Sequence, residues 1–374
     1  MSEKRSGIEF LRSPYFRAVD YWLIIPVLLL TTIGLFVLNE VYIAAVRGYP
    51  QNIYTQAVAA FIGAAIALII CLLDAHFLKL IGWIIYSVSM LLLLIIPFDG
   101  YQAVSGADAW IRLGGGLTLQ PSELMKIGLV ILSAFFLQDI SSGKISMKKG
   151  LLLIAVMYAP PAGLITLQPD MGTLMVIVFS LCCMFFIWGI KYRYIFLALS
   201  GAIVASPFVF SFLLEPYQQN RILSTFFPGA DPIAGENVRL SQMAISLGGL
   251  TGSRADTPVN VPVKSSDFIF SAVSEYMGFI GTTAVILLAL FFLLRCLYVA
   301  SQTKEKSHSF IVVGLMATFA FHYIENMGMA IGLLPVTGIP LPFISGGGTA
   351  LLVNFVSVGI IMNISMCRNL QPRF

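Results

Sequence analysis

Ten long apolar stretches are the feature that most restricts how this sequence can fold. A helix that crosses a membrane needs about 20 consecutive, mostly apolar residues, and each stretch is close to that length. The stretches predict membrane spans at 20–39, 53–73, 77–97, 121–138, 150–166, 171–189, 192–214, 268–294, 309–333 and 348–366. We therefore expect an all-α integral membrane protein of about ten transmembrane helices.

The composition supports lipid as the solvent for most of this chain. Of its 374 residues, 58% are hydrophobic and only 11% are charged. Soluble domains carry roughly a quarter charged residues, so a soluble fold of this size could not cover so much apolar surface. The five cysteines fall in or at the ends of apolar spans, which favours packing over disulfides or zinc. The sequence has no basic tract that would bind nucleic acid.

The distribution of lysine and arginine predicts the orientation in the membrane, because cytoplasmic loops are enriched in both residues. The N-terminal segment and alternate connections carry most of them: Lys4, Arg5, Arg12, Arg17, Lys79, Lys144, Lys148, Lys149, Lys191, Arg193, Arg295, Lys304, Lys306, Arg368 and Arg373. Both termini are therefore expected in the cytoplasm, which requires an even number of spans. The segments 98–120, 167–170, 215–267 and 334–347 are expected to face outward.

The whole chain, 1–374, is expected to form a single polytopic membrane domain. Its one large extracytoplasmic loop, 215–267, lies between the seventh and eighth spans and is too polar to cross the membrane. Within this loop, Leu240–Leu247 has apolar residues at helical spacing. A helix in the membrane interface and a short helix packed on the bundle both fit that pattern.

The fourth and sixth spans open with the same pattern, a glutamine, a proline and then an acidic residue within two positions. In the fourth span, Glu123 and Lys126 lie three residues apart on one helix face. They form either a structural pair or a site where Lys126 meets phosphate while Glu123 holds it in place. In the sixth span, Asp170 is expected to cap the helix or to ligate a divalent cation. The repeated pattern favours one shared site, with Gln120 beside it.

The eighth span opens at Asp267, where a polar loop meets a membrane helix. Asp267 could be a helix cap, or a general base whose pKa is raised by partial desolvation. Glu275 lies two turns further along nearly the same face, and Glu325 and Asn326 lie inside the ninth span. Such residues must face the bundle interior or a wet cavity.

The segment from Gly332 to Gly348 contains three prolines and several glycines, which forbid a regular helix. Irregular backbone near membrane depth is tolerated only where protein covers it or where it lines a cavity. The Ser345-Gly346-Gly347-Gly348 stretch before the tenth span could form a backbone nest for an anion. Together, these features predict an outward site of helix N-termini, carboxylates and a few cations, suited to an anionic amphiphile such as a lipid-linked diphosphate.

Specific motifs extend over roughly 20–366, and at these residues the sequence resembles the SEDS family, the bacterial shape, elongation, division and sporulation proteins that include RodA and FtsW. The start of the chain, Phe16 to Asp20, is more similar to RodA than to FtsW. The motifs are Gly106-Ala107 with Trp110; Leu119-Gln120-Pro121-Ser122-Glu123 with Lys126; Gln168-Pro169-Asp170 with Gly172-Thr173; Tyr217 with Arg221; Asp231-Pro232; Ser241 with Ala244-Ile245; Gly248-Gly249 with Gly252; Asp267-Phe268-Ile269-Phe270; Asn326-Met327-Gly328-Met329; and Gly332 through Ser345.

The resemblance implies a peptidoglycan glycosyltransferase of the bacterial cytoplasmic (inner) membrane, with its active site facing outward. Such an enzyme polymerises lipid II, a disaccharide-pentapeptide on undecaprenyl diphosphate, into β-1,4-linked glycan strands. The resemblance also implies a role in cell elongation and shape maintenance. The implied partner is a class B penicillin-binding protein, and the implied cofactor is a divalent cation, Mg²⁺ or Mn²⁺.

The same resemblance assigns roles to individual residues. Asp267 is implied as the essential carboxylate, which would take the proton from the 4-hydroxyl of the acceptor. Lys126, Arg221 and the cation would stabilise the diphosphate leaving group. Trp110 is either a sugar platform or an interface anchor. The other candidates are Asp170 for the metal, and Glu123, Arg112, Ser345 and Gln120 for the substrate.

Several positions depart from the family pattern. Residues 262–267 read Pro-Val-Lys-Ser-Ser-Asp, where the family usually has Pro-Glu-x-His-Thr-Asp. The usual Glu-Glu reads Glu275-Tyr276, and the usual Ser-Tyr-Gly-Gly begins at Ser345 but has glycine at position 346. These changes put a second carboxylate beside Asp267 in doubt. They give weight to a second function, a non-catalytic scaffold for a penicillin-binding protein. The broken helices and the buried Glu275 and Glu325 fit a third function, a flippase for lipid-linked precursors.

Overall fold

The computed structural model describes residues 18–44, 51–99, 101–102, 108–114, 117–227, 229–253 and 258–370. This part of the chain is almost entirely helical. Its α-helices are α1 (Tyr21–Ala44), α2 (Gln51–Leu72), α3 (Leu78–Asp99), α4 (Pro121–Ser141), α5 (Met147–Leu167), α6 (Met171–Trp188), α7 (Tyr192–Phe208), α8 (Pro216–Phe226), α9 (Pro232–Leu247), α10 (Ile269–Gln302), α11 (Lys306–Ala330) and α12 (Gly348–Leu370). Several residues used in the sequence analysis lie outside the described residues, namely Lys4, Arg5, Arg12, Phe16, Arg17, Gly106, Ala107 and Arg373.

Nine helices in the described ranges are long and apolar enough to cross a membrane, namely α1 to α6 and α10 to α12. The prediction of an all-α, multi-pass membrane protein is confirmed. The seventh predicted span, 192–214, differs: α7 has 17 residues and continues as a π-helical turn, Val209–Leu213. Pro207, which cannot donate a backbone hydrogen bond, lies in the last turn of α7 just before the change of helix type. The orientation of the spans stays a prediction.

A small antiparallel sheet lies between α3 and α4, where the sequence predicted only an outward connection. Its strands are β1 (Tyr101–Gln102), β2 (Asp108–Gly114) and β3 (Leu117–Leu119), in the order β1-β2-β3. The hydroxyl of Thr349 donates to the carbonyl of Thr118. The sheet is therefore tied to the start of α12.

The large loop folds into two helices, α8 and α9. The side chain of Asp231 caps α9 by accepting hydrogen bonds from the N–H groups of Ile233 and Ala234. The predicted amphipathic stretch forms the second half of α9. There Ser241 Oγ donates to the Ala330 carbonyl at 2.8 Å, and Gln242 Nε2 donates to a neighbouring carbonyl at 2.9 Å. Of the two alternatives, the structure has the helix packed on the bundle.

Glycines allow the end of this loop to pack directly against α10. A Cβ atom at Gly248 would overlap the carbonyl of Ser274. Gly278 lies inside α10 with φ 64° and ψ −163°, and kinks it. The carbonyl of Gly249 accepts from the N–H of Phe279 at 2.9 Å, so the loop uses backbone groups that the kink releases. The glycine motif of the sequence is thus explained by close backbone contact.

The irregular segment before α12 is covered by protein, as its depth requires. It inserts Phe343 into the bundle, where the ring centroid lies 5.8 Å from that of Phe292, 5.5 Å from that of Phe319 and 6.0 Å from that of Phe355. Residues 331–347 contain no α-helix, which confirms the prediction. The segment thereby supplies backbone carbonyls to the site described next.

Candidate functional site

The first part of the site is a buried ion pair in the opening turns of α4. Lys126 Nζ donates to Glu123 Oε1 at 2.7 Å, and both side chains are about 95% buried. Lys126 Nζ also lies 2.9 Å from His322 Nε2 of α11. Because ionised groups are costly in this environment, the pair and the histidine hold one another in a fixed geometry.

His322 fixes the direction of the lysine contact. Its Nδ1 atom lies 3.0 Å from the carbonyl oxygen of Pro340, which can only accept a hydrogen bond. Nδ1 is therefore the protonated nitrogen, and Nε2 accepts from the Lys126 ammonium. Sequence analysis missed His322, although a histidine deep in a predicted span is itself a sign of an internal polar site.

The starts of α4 and α6 are joined by a hydrogen bond between side chains. Gln120 Nε2 donates to Asp170 Oδ2 at 2.9 Å, and the N–H of Thr173 donates to Asp170 Oδ1 at 3.0 Å. Asp170 is thus the N-cap of α6, as one of the two alternatives predicted. Burial raises the pKa of Asp170, and the bond from Thr173 partly opposes this. The two occurrences of the Gln-Pro-acid pattern are therefore joined by one hydrogen bond, which connects the start of α4 to the start of α6.

No group of three or more His, Cys, Asp or Glu residues that could hold a metal ion is found among the described residues. Both oxygens of Asp170 already accept hydrogen bonds. Mg²⁺ commonly uses one or two carboxylates together with phosphate oxygens and water, rather than a cage of protein ligands alone. The residues present therefore fit a cation that arrives with a diphosphate, and they do not form a cage made of protein alone.

Asp267 lies in a tight turn immediately before α10. Its N–H donates to the carbonyl of Val263, which has a positive φ of 54°. The carbonyl of Asp267 accepts from Asn326 Nδ2 at 2.7 Å, and the same Nδ2 donates to the Ile339 carbonyl at 2.8 Å. Asn326 therefore clamps the backbone of Asp267 and leaves its carboxylate outside that contact.

The carboxylate of Asp267 is half-buried between α8 and the irregular segment. A Cβ atom at Gly338 would lie 3.3 Å from Asp267 Oδ2, a tight contact, and the positive φ of 78° at this position also favours glycine. Burial raises the pKa of Asp267, while a hydrogen bond from Ser266 and the positive charge of Arg221 lower it. Asp267 and Arg221, which the sequence analysis assigned separately, are thus brought together.

Lys264 and Glu275 form a second buried ion pair, which the sequence analysis did not predict. Both side chains are more than 90% buried. Lys264 Nζ also donates to the carbonyl of Val259 at 2.9 Å, and Glu275 Oε1 accepts from the N–H of Val259 at 2.8 Å. The pair anchors the loop that carries Asp267 to α10. Lys264, at the position that the family pattern leaves open, therefore has a structural partner inside this chain.

Ser345 holds the same turn from the other side. Its hydroxyl donates to the carbonyl of Ser266 at 2.7 Å and accepts from the N–H of Leu341 at 2.7 Å. Gln56 Nε2 donates to the Ser345 carbonyl at 3.0 Å. The hydroxyl proposed for substrate binding is thus engaged in positioning the residue next to Asp267.

Two candidates from the predicted outward segment 98–120, one aromatic and one basic, lie in β2. Trp110 is half-buried and pairs with Tyr101 of β1, while Arg112 pairs with Thr118 of β3. The two roles considered for Trp110, sugar platform and interface anchor, both fit this position.

The two parts of the site meet on α11. His322 and Asn326 lie one helical turn apart on the same face, and they bond to the adjacent carbonyls of Pro340 and Ile339. The Lys126 cluster and the Asp267 turn are therefore attached to one short stretch of irregular backbone. This arrangement places two cations and two carboxylates around a common loop, which suits a reaction that moves a proton beside an anionic leaving group.

Comparisons with known proteins agree with one family over almost the whole chain. The FtsW/RodA/SpoVE family, described as "Cell cycle protein", matches residues 21–370. The chain is 29% identical to the peptidoglycan glycosyltransferase MrdB of Escherichia coli K12, over 93% of this chain and 95% of the relative. It is 31% identical to the stage V sporulation protein E of Bacillus subtilis 168, over 92% and 96% respectively.

A solved structure gives the same result for the fold. It comes from a study of polymerization and crosslinking coordinated by a peptidoglycan synthase complex, and superposes with a TM-score of 0.82. The identity is 29%, and the match covers 94% of this chain and 99% of that chain. The ordering of the membrane helices is therefore shared over nearly the full length.

Proposed function

The chain belongs to the FtsW/RodA/SpoVE family, and from this premise we propose that it is a peptidoglycan glycosyltransferase. Its substrate is lipid II, which it polymerises into β-1,4-linked glycan strands at the outer face of the bacterial cytoplasmic membrane. The observation that carries the proposal is the half-buried Asp267 carboxylate, clamped through its backbone and placed beside Arg221. The activity named for the Escherichia coli relative is the same.

In this proposal Asp267 is the general base. Its ionised carboxylate takes the proton of the acceptor 4-hydroxyl as that oxygen attacks the anomeric carbon of the donor sugar. The bond from that carbon to the diphosphate breaks on the opposite face, so the donor configuration inverts. A pKa raised by burial brings the base closer to the working pH, which makes proton transfer more effective.

The leaving diphosphate needs positive charge near its oxygens. Arg221 lies close enough to act electrostatically on Asp267, and the Lys126 ammonium is fixed by two partners on the same side of the bundle. A bound Mg²⁺ or Mn²⁺ would neutralise part of the diphosphate charge. In this proposal Asp170 assists such a cation through a carboxylate oxygen, and Gln120 orients Asp170.

We assign the working partner as a class B penicillin-binding protein, which crosslinks the strands. The similar solved structure comes from a complex in which polymerization and crosslinking are coordinated. The cellular role that we favour is elongation and shape maintenance, because residues 16–20 are more similar to RodA than to FtsW.

The test is polymerisation by the purified protein with its partner. Lipid II and Mg²⁺ are supplied, the partner is blocked with a β-lactam, and the products are separated on a gel. We expect glycan ladders from the wild type and none from Asp267→Asn or Asp267→Ala. Because Asn keeps the size of Asp, its loss of activity reports the missing base and not a collapsed turn.

Two other results would change the proposal. Ladders of equal intensity from both variants would keep the activity but remove Asp267 as the base. A folded wild-type complex without ladders would refute the enzyme, and would leave the flippase or the scaffold function.

A further inference from the structure

A cavity of about 460 Å³, here called the outer cavity, lies between α8, α9 and the turn that follows α11. Ligand sites of proteins range over about 300–1,000 Å³, so its size suits a small ligand or one part of a larger ligand. It is separate from the space around Lys126. The polar residues that line it include Ser224, Thr225, Glu236, Arg239 and Gln242.

The wall of the outer cavity includes hydroxyl and amide side chains. Thr225 is one of its lining residues, and its hydroxyl oxygen is buried and has no hydrogen-bond partner within the described part of the chain. Gln242 donates through Nε2 to the Ile331 carbonyl, and its side-chain oxygen is a hydrogen-bond acceptor. A buried hydroxyl without a protein partner is expected to bond to water or to a ligand.

The cavity has no excess charge. Its two charged lining residues, Glu236 and Arg239, bond to each other through two N–H···O contacts of 2.8 and 2.7 Å. Apolar side chains of Val238, Leu334 and Val336 complete the wall. A neutral cavity with hydroxyl, amide and apolar surfaces disfavours a diphosphate, and it suits a sugar, whose faces are apolar and whose edges are hydroxyls and amides.

The outer cavity adjoins the Asp267 turn. On α8, Ser224 and Thr225 follow Arg221 by one helical turn, about 5.4 Å along the axis. On the irregular segment, Val336 lines the cavity and Gly338 approaches the carboxylate of Asp267. The outer cavity and the Asp267 site are thus lined by neighbouring residues of the same two segments.

We propose that the outer cavity binds an N-acetylated sugar of the glycan strand, one unit away from the sugar that reacts at Asp267. This subsite rests on the proposed glycosyltransferase function. Through this subsite the enzyme binds the polymer independently of the diphosphate. Loss of this binding shortens the strands because the product dissociates before the next sugar is added.

Two variants test the subsite without touching the Asp267 site. Thr225→Val removes the unpartnered hydroxyl and keeps the side-chain shape, so the fold is expected to be retained. Gly229→Trp adds a large side chain at a residue that lines the cavity, and a Cβ atom at Gly229 meets no other atom within 4 Å, so the change is expected to obstruct the cavity without a clash. Ser246→Ala on α9 is the matched control, because Ser246 is exposed and does not line the cavity.

The first measurement is the affinity of the full chain in nanodiscs for a soluble tetrasaccharide of alternating N-acetylglucosamine and N-acetylmuramic acid. We expect Gly229→Trp to abolish binding and Thr225→Val to weaken it roughly fivefold, the scale of one neutral hydrogen bond. The affinity of Ser246→Ala should equal that of the wild type. In the ladder assay, both cavity variants should make shorter strands than the control.

The outcomes separate this inference from the proposed function. A wild type that makes ladders but does not bind the tetrasaccharide, or that binds it as well after Gly229→Trp, overturns the subsite and keeps the enzyme. A wild type that binds the tetrasaccharide with the expected loss in both variants, yet makes no ladders, supports the subsite and refutes polymerisation.

Discussion

Two lysine–glutamate pairs are buried at the predicted outward side, and they are built differently. Glu123 and Lys126 share one turn of α4, and Lys126 gains His322 as a second partner. Lys264 and Glu275 instead join a loop to a helix, and Val259 bonds to both of them through its backbone. The first pair belongs to one element, whereas the second connects two.

The surroundings of the two lysines also differ. Lys126 and Glu123 line an internal cavity of about 10 Å³, enough for about one water molecule. Lys264 lies 5.3 Å from the ring centroid of Tyr276, in addition to its two oxygen partners. Lys264 is thus enclosed by oxygens and an aromatic ring, whereas Lys126 borders a space for about one water molecule. The two pairs therefore allow a test of which lysine is needed only for the fold.

The largest expected effect is on the enclosed pair. Lys264→Met leaves Glu275 as an uncompensated buried charge, so the free energy of unfolding should fall by about 3–5 kcal/mol. Thermal unfolding in detergent measures this loss. The double variant Lys264→Met/Glu275→Met is the control, and it should recover most of the stability and the ladder activity. A double variant as unstable as the single one would contradict a purely structural pair.

At the other pair, the corresponding double replacement should restore stability but not activity. Glu123→Gln with Lys126→Met removes both charges, so stability should largely return relative to Lys126→Met alone. Polymerisation should nevertheless drop by about 10²–10³, the scale of losing one preorganised group that stabilises the transition state. Ladder assays and unfolding on the same preparations measure both quantities. Full activity in this double variant would place Lys126 with Lys264 as a structural residue.

A smaller effect is expected at His322, which positions Lys126. His322→Phe removes the acceptor and should lower turnover roughly tenfold, the scale of one hydrogen bond to a charged group. His322→Gln can present a carbonyl oxygen to the ammonium and should keep most of the activity. Rates at saturating lipid II compare the two variants. Equal losses from both would mean that the shape of the imidazole, and not its acceptor, is needed.

The smallest effect is a shift in pH dependence at the Asp267 site. Burial raises the pKa of Asp267, and the charge of Arg221 lowers it. Asp267 acts as a base only when it is ionised, so activity falls as the pH drops through this pKa. Arg221→Gln removes the lowering charge, and the acidic limb of the profile should move to higher pH. Each profile is scaled to its own maximum, and a limb that stays in place would contradict the contact.

Local patterns in the sequence predicted much of this site. The spacing of Glu123 and Lys126 and the capping position of Asp170 are set within one helical turn, and both appear as expected. The irregular backbone before α12 followed from its prolines and glycines. Partners that are far apart in sequence were missed. His322 is 196 residues from Lys126, and no local pattern relates them.

The sequence by itself determined that this protein is an all-α, multi-pass membrane protein, because hydropathy acts within each stretch of about 20 residues. Only the tertiary structure decided which charged side chains form pairs. No local pattern in the sequence relates Lys264 to Glu275, and in the fold the two form a buried ion pair. Asp267 was a candidate base from the sequence, but only the fold shows that Asn326 bonds to its carbonyl and that Gly338 and Arg221 lie beside its carboxylate. The reason is that the energy of a buried charge depends on the partners that packing brings to it.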